Sequence, residues 1–125
     1  MAAVRVLVVE DHPATAQGLK KYLELTGHQV EVASDVKSGL HLAATFDFEV
    51  LVCDLMLPDG TGWELMEKLG KQRPVRGIAF SAYGGPEDLQ RSEAAGFAEH
   101  IVKGSSPETL VAAISRLAAA QARAD

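Results

Sequence analysis

Cysteine is nearly absent from this chain of 125 residues. Cys53 stands alone, so no internal disulfide can form, and a reducing, cytoplasmic setting is the expectation. Positive charge is not in excess either. The formal net charge of −5 argues against a dominant nucleic-acid surface, because neutralising phosphates needs a basic patch. No apolar run approaches the ~18 residues of a membrane span. The opening MAAVRVLVVEDH reaches acidic residues too soon to read as a secretory leader. A phosphate loop of the G-x-x-x-x-G-K-[ST] type is missing, as are internal repeats and low-complexity tracts. What is left is ordinary: 47% apolar and 23% charged residues, in a length that suits one globular domain with a real core.

Five short runs rich in branched apolar residues are present: Val4–Val9, Gln29–Ala33, Val50–Cys53, Val75–Phe80 and Glu99–Val102. VRVLVV and VLVC are continuous rather than alternating, which marks strands covered on both faces, hence a parallel sheet. Helical spacing and helix punctuation fill the intervals. The first helix opens at Pro13, carries Leu19, Tyr22 and Leu23, and stops at Gly27. The second follows Ser34 and Asp35. The third begins TGWE, where Thr61 and Glu64 have capping-box spacing. The fourth starts near Pro86, suited to a first helical turn, and the fifth after Ser106 as N-cap. Strand and helix thus alternate five times. The expected fold is a single doubly wound α/β sheet of five parallel strands with right-handed crossovers. Ligands in such sheets sit beyond the carboxyl ends of the strands, at the topological switch point.

The residues at those ends are chemically unusual. The first run ends in Glu10-Asp11, the third in Asp54, the fourth in Ser81 and the fifth in Lys103. A lone Lys103 would read as a side chain snorkelling to solvent. Two acidic ends, a hydroxyl and a cation at one edge argue for a site instead. Carboxylates crowded in a cleft repel by roughly 4 kcal/mol at intermediate dielectric. An all-oxygen cluster suits a hard divalent cation, Mg²⁺ taking one or two carboxylates plus waters and a phosphate. Lys103 and Ser81 supply a charge and a hydroxyl for phosphoryl oxygens, and a carboxylate could itself attack to give an acyl phosphate. Positioning and charge neutralisation are most of what phosphoryl transfer needs.

VLVVEDHP, VLVCDLMLPDGTGWEL, IAFSA and AGFAEHIVKG, in this order and spacing, resemble the response-regulator receiver domains of two-component signalling, the CheY-like superfamily. The resemblance covers Val4 to about Leu117, and it implies the flavodoxin-like strand order 2-1-3-4-5. It also implies roles. Asp54 is the phosphorylation site, Asp11 binds Mg²⁺ directly, Glu10 helps through water, and the backbone carbonyl of Met56 is a further ligand alongside Asp54. Ser81 bonds the phosphoryl group and Lys103 pairs with it. The implied partner is a histidine kinase or histidine phosphotransfer domain, with an unknown output partner and a possible weak homodimer. Nucleic acid is not contacted directly and no membrane is involved. The surface expected to change is that of the last two helices and last strand. The domain is expected over residues 1–120, with 121–125 as a tail or linker stub. SAYGGPEDLQRSEAAGF is most similar to receivers attached to hybrid histidine kinases.

Two positions depart from the family pattern. Receivers usually follow the lysine with proline, often through a cis bond, whereas Gly104 follows Lys103 and has far more freedom. Three residues before the lysine they carry tyrosine or phenylalanine, a rotamer switch that moves with the serine or threonine. Here that residue is His100, which can still rotate and stack. Met56 and Tyr83 lie where the family tunes attack by water, and their bulk implies slow loss of the phosphoryl group. Cys53 and Trp63 are expected to pack in the core, and His12 to lie on the surface. Two other functions compete: a receiver-like interaction module independent of phosphorylation, favoured only by Gly104 and His100, and an aspartate-nucleophile phosphatase or flavodoxin-type flavoprotein. Those phosphatases begin with two aspartates one residue apart, where this chain has EDHP.

Overall fold

The computed structural model describes residues 3–124, with side chains described as far as Ala120. The elements run β1 (Arg5–Val9), α1 (Pro13–Leu25), β2 (Gln29–Ala33), α2 (Val36–Thr45), β3 (Val50–Cys53), β4 (Met56–Leu57), β5 (Gly60–Thr61), α3 (Gly62–Gln72), β6 (Gly77–Ser81), α4 (Pro86–Ala95), β7 (Glu99–Val102) and α5 (Pro107–Ala124). Five strands form one parallel sheet in the order β2-β1-β3-β6-β7. Counted without the small β4–β5 hairpin, that is the expected 2-1-3-4-5. Among the described residues no helix is long and apolar enough to cross a membrane.

The continuous apolar runs are explained by two cores, one on each side of the sheet. Leu7 and Val9 of β1 and Leu51 and Cys53 of β3 pack with Leu65, Met66 and Leu69 of α3. Their neighbours Val6, Val8, Val50 and Val52 face the other way, onto Leu23 of α1 and Leu110, Ala113 and Ile114 of α5. Successive side chains of a strand point to opposite faces, so a strand buried twice needs an apolar residue at every position. Cys53 is fully buried and Trp63 nearly so, both in the core as expected.

Helix starts follow local chemistry. Asp35 caps α2 through the Ser38 N–H at 2.7 Å, and Ser38 Oγ returns the bond to the Asp35 N–H at 3.2 Å. Thr61 Oγ1 accepts the Glu64 N–H at 3.1 Å, so TGWE does open α3. The fourth strand starts two residues later than the sequence suggests and takes in Ser81, because its ladder with β3 begins at Leu51 opposite Gly77. The first helix ends at Leu25, and Gly27 follows with a left-handed φ of 96°. Helix α5 continues through Ala124; the far end of the expected tail, Asp125, lies outside the described residues.

His28 joins α1 to β2 and carries a pH dependence. It is buried, its Nδ1 accepts the Val4 N–H at 3.2 Å, and its Nε2 has no hydrogen-bond partner among the described residues. Burial holds the imidazole below its ordinary range, against a smaller upward pull from Glu49. A depressed histidine favours the neutral folded form. Stability is therefore complete above about pH 6.5, the unfolded value, and falls as pH drops below it toward the folded value. Urea midpoints at pH 7.5 and 5.5 should separate more for wild type than for His28→Gln. Equal separations would show that His28 contributes nothing to the slope.

Candidate functional site

Four of the strand-end residues meet at one place. Glu10 and Asp11 leave β1, Asp54 leaves the neighbouring β3, and Lys103 reaches across from beyond β7. Lys103 Nζ lies 2.5 Å from Glu10 Oε1 and 3.1 Å from Asp54 Oδ2, and 5.7 Å from the centroid of the Phe80 ring. Carboxylate oxygens of Glu10, Asp11 and Asp54 fall within 4.8 Å of one another. Glu10 and Asp54 are only 2% and 8% exposed, whereas Asp11 faces solvent. The backbone fixes both buried acids: the His12 N–H donates to Glu10 Oε2 at 3.1 Å, and the Met56 N–H to Asp54 Oδ1 at 3.2 Å.

The electrostatics match this crowding. Burial pushes the Glu10 carboxyl up from its ordinary range and the Asp54 charge adds to the rise, while Lys103 and the His12 N–H oppose it. Burial alone would lower the Lys103 ammonium, but its bonds to Glu10 and Asp54 outweigh that and hold it above the usual range. One cation thus spans two carboxylates, and a third stands beside them. Three oxygen-donor acids, two of them buried with a single lysine between them, fit a hard divalent cation such as Mg²⁺. Cys53 adds no reactive group, because burial, with the Asp54 and Glu10 charges, pushes its thiol far up.

Ser81 and His100 sit to one side. Ser81 is fully buried at the end of β6 and tied to the lysine through the backbone, the Lys103 N–H donating to its carbonyl at 2.7 Å. Its Oγ accepts the Tyr83 N–H at 3.1 Å. The His100 ring bonds to Ser92 Oγ at 2.9 Å and to the Tyr83 carbonyl at 2.7 Å, so it is part-buried and held rather than loose on the surface. Met56 and Tyr83 are both exposed. His12 is exposed as well, and caps α1 by accepting the Thr15 N–H on Nδ1.

Of three supporting residues, Asp59 and Gly62 belong to the tight strand-to-helix loop that Pro58, Asp59, Gly60 and Gly62 announce in the sequence, and only Ser92 is not singled out there. Asp59, in the β4–β5 turn, accepts the Val36 and Lys37 N–H groups at 2.7 and 3.0 Å, tying that turn to the start of α2 and holding its own carboxyl below the usual range. Its signal, an aspartate in a Pro-Asp-Gly turn, reads as ordinary turn chemistry. Gly62 donates its N–H to the Leu55 carbonyl, and a Cβ there would overlap the Asp54 carbonyl oxygen. Ser92 lies buried within α4, where a lone serine in a polar stretch carries no signal at all.

Gly104 explains its own departure. Its φ is +101°, a left-handed backbone that proline, fixed near −65°, cannot adopt. No atom stands within 4 Å of a Cβ placed there. Gly104→Ala should therefore cost about 1 kcal/mol of backbone strain, and Gly104→Pro distinctly more. Denaturation midpoints rank the two; a proline variant as stable as the alanine one would contradict the backbone account.

The fold and this strand-end cluster define a signalling receiver module. Residues 6–115 match the model of the response regulator receiver domain. The chain belongs to that family. It is 30% identical over 113 residues to the transcriptional regulatory protein HprR of Escherichia coli, covering 89% of this chain and 50% of HprR. The chain spans about half the length of the first curated relatives it matches. A 14.6 kDa uncharacterized protein of Leptolyngbya boryana is 33% identical, with 89% and 87% of the two chains covered. Among solved structures, the CheY-like receiver domain protein of Methanospirillum hungatei superposes with a TM-score of 0.93 at 31% identity, over 99% of this chain and 100% of that one.

Proposed function

We propose that this receiver accepts a phosphoryl group on Asp54 from the phosphohistidine of a histidine kinase or phosphotransfer domain. The observation that carries the reading is the Lys103 ammonium spanning Glu10 and Asp54 beside Asp11. An Asp54 carboxylate oxygen attacks phosphorus, the P–O bond forms as the P–N bond breaks, and the imidazole leaves. The Met56 N–H and Lys103 hold the attacking carboxylate in one orientation. Lys103 is already placed to pair with the charge on the transferred group, and Ser81 offers a hydroxyl. Asp11, Asp54 and the Met56 carbonyl would hold Mg²⁺, with Glu10 acting through water; when bound, the ion neutralises the clustered acids and the phosphoryl oxygens. The module modifies itself and releases no product of its own. The phosphorylated form shifts a population of conformers, read on the surface of α4, β7 and α5. That surface could also support a weak homodimer, and the exposed Tyr83, Leu89 and Val102 lie on or beside it. A cytoplasmic setting, where histidine kinases present their phosphohistidine, belongs to the same reading.

Titrating Mg²⁺ and then beryllofluoride while following thermal unfolding tests this. A ligand at a hundred times its Kd should stabilise the fold by about 2.7 kcal/mol. No response to either, together with no adduct from acetyl phosphate, would favour an interaction module independent of phosphorylation, the function that Gly104 and His100 leave in play.

A further inference from the structure

The hydrogen bonds around His100 have a direction. The Trp63 indole can only donate, and its Nε1–H reaches Ser92 Oγ at 2.9 Å. The Tyr83 carbonyl can only accept, so His100 Nε2, at 2.7 Å, carries the proton of a neutral ring. His100 Nδ1 is then an acceptor, and the hydrogen between it and Ser92 Oγ at 2.9 Å belongs to the serine. Beyond His100, the Tyr83 N–H donates to Ser81 Oγ at 3.1 Å. Ser81 accepts from that amide, which leaves its own O–H free to donate outward.

Bonds thus link four elements: Trp63 on α3 donates to Ser92 on α4, Ser92 to His100 on β7 and His100 to the Tyr83 carbonyl, while the Tyr83 N–H, in the preceding peptide on the other side of the same Cα, donates to Ser81 on β6. The Trp63–Ser92 end of these bonds is buried. Ser92 is 1% exposed and the Trp63 ring is covered by the Arg91 guanidinium 4.0 Å from its centroid. Beside it, a cavity of about 260 Å³ between α4 and β7, lined by Ser92, Phe97 and His100 among others, leaves the imidazole room to turn. A bonded polar chain of this kind has discrete arrangements rather than a continuum.

We infer that Ser92 and His100 are positioning residues in a hydrogen-bond relay, which orients the Ser81 hydroxyl toward the acceptor site and reports its state to the Trp63–Arg91 pair on the α3–α4 face. The relay extends the readout beyond α4, β7 and α5 to a second helix pair. It rests on Asp54 as phosphoryl acceptor, and the two can fail separately.

The test is NMR on the whole chain, with Mg²⁺ and beryllofluoride as the probe. Without the probe, the His100 imidazole should show the Nε2-protonated tautomer. Ser92→Ala should give a tautomer mixture and move the Tyr83 amide, while Ser92→Thr, which keeps the hydroxyl, should restore the wild-type pattern. With the probe, the Trp63 indole N–H should shift along with the Ser81 and Tyr83 amides. In Ser92→Ala the amides should still respond and the indole should not. A wild-type Nδ1-protonated tautomer overturns the relay. So does an indole that stays put while the amides move, or one that moves equally in Ser92→Ala. If no resonance at the site moves, the phosphoryl-acceptor reading fails first and the relay falls with it.

Discussion

Asp54→Asn should abolish acyl-phosphate formation outright. After incubation with acetyl phosphate and Mg²⁺, intact mass should show one added phosphoryl group on wild type and none on the variant. The reason is chemical rather than structural. A carboxamide has nearly the shape of the carboxylate and can still accept the Met56 N–H that now reaches Asp54 Oδ1. Its oxygen is a poor nucleophile, however, and it carries no charge. Lys103 keeps Glu10 as an ion partner at 2.5 Å, so the ammonium is not stranded when Asp54 loses its charge. Stability without Mg²⁺ should accordingly change by no more than about 1 kcal/mol, the size of a partly exposed pair, since Lys103 itself is not deeply buried. Mg²⁺-induced stabilisation should weaken, because one of three clustered acids is gone. A phosphoryl adduct of undiminished yield on the variant would move the acceptor elsewhere and sink the assignment.

Gly62→Ala should be the most damaging of the glycine-to-alanine substitutions. Its Cβ would overlap the Asp54 carbonyl oxygen and lie 3.0 Å from Cys53 Sγ, both parts of the buried end of β3. Neither neighbour is the free end of a flexible side chain. The backbone must give way, at the residue whose carboxylate is held by Met56 and Lys103. Overpacking of this kind costs about 1–3 kcal/mol, and the Gly62 N–H bond to the Leu55 carbonyl is strained as well. A loss of about 3 kcal/mol in urea unfolding is expected, along with a markedly slower reaction with acetyl phosphate in whatever fraction stays folded. Gly70→Ala is the contrast, since no atom stands within 4 Å of its Cβ and it lies inside α3, where alanine is favoured. If the two alanine variants proved equally stable, close approach at Gly62 would not be what holds the Asp54 loop.

Much of the architecture is legible in the sequence because its signals are local. VRVLVV and VLVC mark strands buried on both faces, and the two-core packing of Val6 against Leu7 and Val50 against Leu51 is what that pattern means. Asp35, Thr61 and Pro86 announce helix starts within a single turn of the chain. The boundary that moved, from Val75 to Gly77, moved because ladder register with β3 sets it, and register is a relation between two segments. The short β4–β5 hairpin was likewise hidden inside a stretch that reads as a tight loop.

Which chemical groups stand at the strand ends is local information: Glu10, Asp11, Asp54, Ser81 and Lys103 each follow directly from where an apolar run stops. Tertiary structure alone decided how they meet. It placed Lys103, 49 residues from Asp54, between two buried acids, and it gave Asp59 to the start of α2 across 22 or more residues. It also tied His100, an odd residue at its position in the family pattern, to Ser92 Oγ and to the Tyr83 carbonyl. Helix and strand periodicities describe what one segment buries. Hydrogen bonds between segments depend on register, helix rotation and the direction of single protons, and those exist only once the chain has closed on itself.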